Sequence, residues 1–267
     1  MHITPHCIAI WRRTGCVAPG LRTNLAAACI LIGLTVSAIA APACPATPQL
    51  PAMHLPHLRA SLAARAEGVI VALGSSSTEG VMASDPGHSY PAILQADLAA
   101  LWPAAHIAVI NRGVGGQDAP EELARMQADA IAVRPQLVIW QVGANGAMRD
   151  ASPDVFRSMV AEGVAHLRAA GIDVILMDNQ RSPRIIAAAD HVALEAALAQ
   201  VAVTSGANLF SRGRLMDAWS QAGDAPAEFI ATDGLHHNDL GYRCVADALA
   251  AEIAAAVHTP AAVTAGR

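Results

Sequence analysis

The sequence predicts an α/β fold: a three-layer sandwich with a mainly parallel five-stranded sheet between two layers of helices. Three observations predict it. Apolar runs of strand length, at 69–73, 106–110, 137–142 and 172–177, lack the polar-apolar alternation of a sheet with one wet face. Stretches with the apolar spacing of amphipathic helices separate them, and a strand-helix-strand rhythm returns each strand parallel to the last. The length, 267 residues, is enough for one large core, and no fixed-period repeat or second domain is visible.

Each element has its own signature. The first strand, 69–73, breaks at Gly74 into three serines, a threonine and a second glycine, the mark of a tight turn. A helix over 90–101 carries Ile93, Leu94, Leu98 and Leu101 on one face. The second strand, 106–110, ends in 111-NRGVGGQDA-119 and feeds a helix over 120–133 with Leu123, Met126, Ala130 and Ile131 as its buried stripe. The third strand, 137–142, ends in 143-GANGAM-148, and a helix over 153–170 is stopped by Gly171. The fourth strand, 172–177, exits through 178-DNQRSPR-184, followed by a helix over 185–203, a short strand over 208–210, a helix over 212–222 and a last helix from 238 or 239 to 256. Right-handed crossovers leave few topologies for five such strands, and a flavodoxin-like order fits them.

The two ends read as outside this fold. Arg12, Arg13 and Arg22 precede an apolar run over 25–40 whose end, Ala38-Ile39-Ala40, suits signal-peptide cleavage. Residues 1–40 are therefore expected to be a signal peptide, with an uncleaved anchor as the alternative, and the mature chain to be periplasmic or secreted without stable membrane insertion. Residues 41–66 read as a proline-rich linker and a short helix, 67–257 as the α/β domain, and 258–267 as a flexible tail. All 17 basic residues are arginines; losing the leader leaves 14 of them against 22 acids, an acidic balance that argues against nucleic acid as a partner. Cleavage also leaves only Cys44 and Cys244, too few for a disulfide scaffold; an exported location permits them to pair, and the sequence leaves the pairing open. No Cys/His cluster suggests a metal, and the first turn lacks G-x-G-x-x-G, so neither metal nor organic cofactor is expected.

In a parallel sheet, ligands sit outside the carboxyl ends of the strands, and three consecutive exits here are rich in Gly, Asn and Ser. A serine on the first exit turn is a candidate nucleophile, because a sharp turn exposes Oγ and neighbouring N–H groups can face a developing oxyanion. The same serines would equally cap a helix. A base and an orienting acid are available in 231-ATDGLHHND-239: with Asp233 and His236 three apart, one turn can set the carboxylate on one imidazole nitrogen and aim the other at a serine. Asp178, at the fourth exit, is the substitute acid, and His237 reads as lying at the rim or just behind the site. Arg181, with Asn179, Gln180 and Arg184, lies on the same side as candidate substrate contacts, and Met148 and Leu235 are candidate pocket walls.

These pieces, in this order, resemble the SGNH/GDSL family of serine esterases and acylhydrolases. Its G-D-S-x-T-x-G motif is similar to 74-GSSSTEG-80, N-x-G-x-x-G to 111-NRGVGG-116, G-x-N-D to 143-GANG-146, and D-x-x-H to Asp233 and His236. The resemblance implies Ser76 as nucleophile, with Ser75 and Ser77 as alternatives, and an oxyanion hole made of Ser76 N–H, Gly116 N–H and the Asn145 side chain. It departs at Ser75 and Gly146, where the family carries aspartates. The implied activity is cleavage of a small carboxylic ester, or of an acylated lipid or glycan, through an acyl-enzyme. An acyltransferase or a non-catalytic envelope-binding protein of the same fold are the alternatives. With aromatics at 3%, there is no obvious stacking platform for sugars, and oligomeric state is left open.

Overall fold

A computed structural model describes residues 43–258; the expectations for the leader and for 259–267 fall outside the described residues. Five strands, β1 (Glu67–Gly74), β2 (His106–Gly113), β3 (Leu137–Gln141), β4 (Asp173–Met177) and β5 (Asn208–Phe210), form one sheet in the order β2-β1-β3-β4-β5, every pair parallel. The predicted three-layer α/β sandwich is what the chain forms. Chain order reverses beside β1, which pairs with β2 on one side and β3 on the other, and the crevice for a ligand opens at such a reversal.

Side chains alternate between two cores. Ile70, Ala72, Leu137, Ile139, Ile175 and Met177 face a layer built by α1 (Pro56–Arg65), α3 (Tyr90–Leu101) and later helices, with the one-turn α2 (Ser76–Glu79) following β1. Val71, Leu73, Val138, Trp140, Val174 and Leu176 face the opposite layer, built from α4 (Ala119–Asp129) and, beyond the one-turn α5 (Ala144–Met148), α6 (Pro153–Ala169). After the one-turn α7 (Pro183–Ile186), α8 (His191–Ser205) completes that layer, and α9 (Arg212–Ala222) and α10 (Asp239–His258) complete the first. Burial on both faces is why β1, β3 and β4 read as unbroken apolar runs.

Helix boundaries differ from the sequence reading in two places, each for a local reason. The helix expected over 120–133 stops at Asp129, and Ile131–Val133 is a separate 3-10 turn closed by Arg134 in the left-handed region (φ 55°), ahead of Pro135. The helix expected over 185–203 is split, because a turn at 187–190 separates α7 from α8. The lead-in at 43–55 is no loose linker: Met53 and Leu55 are buried in the first core, and Cys44 is joined to Cys244 of α10 by a disulfide.

One acid is sealed into the second core. Glu122 of α4 is fully buried; its Oε2 accepts from Trp140 Nε1 at 2.7 Å, while Oε1 has no hydrogen-bond partner among the described residues. Burial pushes its carboxyl from 4.5 up to about 8, only partly opposed by the Trp140 hydrogen bond and the nearby Arg125 charge.

Two predictions follow the packing. The disulfide closes a separation of 200 residues, a constraint on the unfolded chain that contributes about 2–5 kcal/mol. The Cys44→Ala/Cys244→Ala variant should therefore melt on the order of 10 °C lower, as wild type should in reductant; coincident melts would show that the link carries no stability. For Glu122, the folded state holds a proton that the unfolded chain releases between pH 4.5 and about 8, so its contribution to stability falls as pH rises through that window. Glu122→Gln should be more stable than wild type at pH 8.5 by on the order of 2 kcal/mol and lose the advantage at pH 4.5, as read from urea unfolding.

Candidate active site

The site begins where β1 ends. Ser75 opens α2 with extended backbone, and Ser76 is the first helical residue, so its N–H has no acceptor within the helix. Gly74 is obligatory at this bend: a Cβ there would lie 2.4 Å from Thr78 Oγ1 and 2.9 Å from the Gln141 carbonyl oxygen. Gln141, buried at the end of β3, holds the turn from below. Its Oε1 accepts from Ser75 N–H and Ser75 Oγ, each at 3.1 Å, and from Thr78 Oγ1 at 3.2 Å.

The exit of β2 is packed on the same turn. A Cβ at Gly113 would sit 2.0 Å from Glu79 N, so only glycine lets the two backbones meet. Asn111 Nδ2 donates to Thr78 O at 2.8 Å while its Oδ1 accepts from Gly113 N–H, also at 2.8 Å. That locks the 111–116 loop beside Ser76. Gly116 follows with φ 78°, and its carbonyl accepts from Arg149 Nη2 at 2.7 Å. From the β3 exit, Asn145 enters through α5 and donates from Nδ2 to Gln117 O at 2.7 Å, leaving the second amide hydrogen for another acceptor.

The imidazole arrives from the loop before α10. Asp233 Oδ1 accepts from Leu235 N–H at 2.9 Å and His236 N–H at 3.0 Å, closing the turn around Gly234 (φ 68°). Its Oδ2 lies 2.6 Å from His236 Nδ1, and His236 Nε2 lies 2.7 Å from Ser76 Oγ. Burial raises the Asp233 carboxyl, but the His236 side chain and the two backbone donors outweigh it and hold the group below its ordinary value. Asp233 is therefore ionised, and a charged acceptor on Nδ1 places the imidazole hydrogen there, leaving Nε2 to accept from the serine hydroxyl. Gln180 Nε2 donates to Leu235 O at 2.7 Å and Arg184 N–H to Gly234 O at 3.1 Å, so the β4 exit braces this loop.

Ser76, Asp233 and His236 are thus brought into one hydrogen-bonded chain, with Gly116 and Asn145 carried by the two loops that flank the serine turn. Met148 and Leu235 pack together with Ala144 and Ile185 in a small apolar cluster between the Asn145 helix and the His236 loop. Three other readings need correction. Arg181 is committed elsewhere: its guanidinium bonds Asp217 through Nε at 2.9 Å and Nη2 at 3.0 Å, and Glu195 through Nη1 at 2.6 Å, which occupies the fork that would meet a substrate. Asp178 is no substitute acid, since its carboxylate bonds Ser211 Oγ and Gly213 N–H. Of the two places left open for His237, the rim is excluded: it is fully buried behind the site, its Nδ1 on Phe229 O at 3.0 Å, and burial together with Arg212 drives its pKa down to about 3. Gln141 was missed as a site residue, although a glutamine inside a buried apolar strand was the available signal.

A protein-family model described as the Non-GDSL lipase-like family matches residues 42–259. This overturns the assignment to the SGNH/GDSL family, and the residue-level reason is already visible: Ser75 and Gly146 stand where that family's signatures carry aspartates. No curated protein sequence matches the chain. Among solved structures, similar folds include an acetylxylan esterase from Geobacillus stearothermophilus (TM-score 0.61, 20% identity, 70% of this chain and 94% of that one). A two-domain esterase active on acetylated mannans is similar with TM-score 0.66 and 22% identity, over 79% of this chain and 56% of that one. A lipase/acylhydrolase from Enterococcus faecalis has TM-score 0.59 and 22% identity, over 70% and 95%. At these identities the likeness is one of fold.

The bracing role of Gln141 is open to test. Gln141→Leu keeps the volume but leaves the buried Ser75 N–H and Oγ–H without their acceptor, while Thr78 Oγ1 keeps Tyr90 Oη, and should cost on the order of 2–3 kcal/mol in denaturant unfolding. An unchanged midpoint would show that the turn holds without it.

Proposed function

The chain belongs to the Non-GDSL lipase-like family, and on that premise we propose that it is a serine hydrolase of carboxylic esters. The single observation that carries the reading is the continuous chain from Asp233 Oδ2 through His236 to Ser76 Oγ, with links of 2.6 and 2.7 Å. In this reading Ser76 Oγ attacks the ester carbonyl carbon as its proton passes to His236 Nε2. The new oxyanion is met by Ser76 N–H, Gly116 N–H and Asn145 Nδ2. Collapse of the tetrahedral adduct breaks the bond to the leaving alkoxide, which takes the proton back from His236 and leaves an acyl group on Ser76. Water, deprotonated by His236, then attacks the acyl carbonyl and releases the carboxylic acid and the free serine.

Two fold neighbours are described as esterases for acetylated xylan and acetylated mannans, which favours O-acetyl groups on a glycan as the natural substrate class of this chain too. Met148, Leu235, Ala144 and Ile185 supply an apolar wall for a small acyl group. We place the protein outside the cytoplasm, with 1–40 as a signal peptide; the Cys44–Cys244 disulfide supports that reading, because such links persist in oxidising compartments.

The test is turnover of p-nitrophenyl esters of graded chain length and of acetylated glycans, with labelling by a fluorophosphonate. Wild type should turn over short esters and be labelled on Ser76. Ser76→Ala should lose labelling and about a thousandfold or more in kcat, and Asn145→Ala about a hundredfold in kcat with little change in KM. Equal rates for wild type and Ser76→Ala would overturn the assignment.

A further inference from the structure

Gly146 is buried and has no side chain, and a carboxylate lies against the place where one would begin. A Cβ built there would stand 3.1 Å from both Asp118 Oδ1 and Asp118 Oδ2. The Ala119 N–H donates to Oδ1 at 2.8 Å and holds the carboxylate in this place. Asp118 also caps α4, with Glu121 Oε2 returning a bond to its N–H at 3.0 Å.

The carboxylate sits at a joint that the sheet does not make. Gly116 hangs from β2 and Asn145 from β3, but the order β2-β1-β3 means that these strands share no hydrogen bonds. The loops are joined instead by side chains: Asn145 Nδ2 donates to Gln117 O and Arg149 Nη2 to Gly116 O, each at 2.7 Å, and the Asp118 carboxylate packs against the Gly146 backbone. Of the residues that tie them, Asp118 is the buried one, 8% exposed, whereas Arg149 is exposed. An oxyanion hole gains its effect from donors already aimed before charge develops, so the fixing of these two loops relative to each other sets how well it works.

We propose that Asp118 is a positioning residue for the oxyanion donors: seated against the bare backbone of Gly146, its carboxylate holds the Gly116 loop and the Asn145 helix at one separation and one aim. The proposal rests on the ester-hydrolase reading. Burial pushes the Asp118 carboxyl above its ordinary value, with Arg149 opposing and Glu121 adding to the rise, so a buried acid is kept here at a cost.

Asp118→Asn tests it cleanly, because asparagine caps a helix as well as aspartate but removes the charge and replaces one carboxylate oxygen by an N–H₂ at the Gly146 backbone. Its kcat on short p-nitrophenyl esters should fall about tenfold or more with KM within about twofold and an unchanged melting temperature. Gly146→Ala, which presses on the carboxylate from the other side, should show the same split. Glu121→Ala removes the return bond of the α4 cap without touching Gly146 and should leave kcat unaltered. Amide hydrogen exchange gives a readout that needs no turnover: residues 143–149 should exchange faster in Asp118→Asn and Gly146→Ala than in wild type or Glu121→Ala. If wild type showed neither turnover nor labelling, the hydrolase reading would fail while exchange still decided the tether. Wild-type kcat and exchange in both variants, or an equal loss in Glu121→Ala, would overturn the role of Asp118.

Discussion

The hydrogen bond from Ser76 Oγ to His236 Nε2 joins residues 160 apart in the chain, and much of the architecture serves to keep its two ends together. Both ends sit at the carboxyl edge of a parallel sheet, the serine on β1 and the histidine on the loop into α10. The first turns of α10 grip the segment that follows the serine. Tyr242 Oη donates to Val81 O at 2.7 Å, and Asp239 Oδ1 accepts from Ser84 N–H at 2.8 Å. Cys244, two residues beyond Tyr242, ties the same stretch of helix to Cys44. An imidazole a single ångström out of place would lose its bond to Ser76 Oγ, so these ties on α10 hold the Ser76–His236 geometry as well as the fold.

Placing the site at the sheet edge puts polar groups where an aliphatic core would otherwise close. Gln141 and Gln180 are fully buried beneath it, one holding the serine turn and the other the His236 loop. Asp178 is buried beside them and is satisfied by Ser211 and Gly213, while Arg212, also buried, gives its Nε to Asp178 O at 2.7 Å. Desolvation pushes the Asp178 carboxyl up to about 6 and the Arg212 guanidinium down, the signature of charges kept out of water. Each such group costs stability that apolar residues would have supplied. The aliphatic cores on both faces of the sheet and the 200-residue disulfide closure offset that cost.

The sheet was legible in the sequence because strands buried on both faces must be continuously apolar, and β1, β3 and β4 are. Helix ends were less so: nothing in the apolar period of 120–133 marks the left-handed Arg134, and a turn of alanines at 187–189 looks helical by composition. At the site, the residue pairs that act within one turn, such as Asp233 with His236, were readable from spacing. Partners from distant segments were not. Arg181 looked like a free cation at a strand exit because Asp217 and Glu195, which neutralise it, lie on other helices. The Cys44–Cys244 link stayed open for the same reason, since only the fold shows that the lead-in crosses α10.

Ser75 and Gly146, the two departures from the resembling motifs, show the difference between a residue pattern and the physical demand behind it. A sharp strand-to-helix turn needs its amide and side chain fixed from below, and here Ser75 hands both to Gln141 of the neighbouring strand. At Gly146 the loss of a side chain coincides with an acid, Asp118, arriving from another loop into contact with the bare backbone. A motif records which residue stands at a position, whereas the chemistry depends on which group stands at a place. Different chain segments can supply that group, so a chain can leave a signature at two positions, fall outside the family the signature defines, and still bring a serine, an imidazole and a carboxylate into one line.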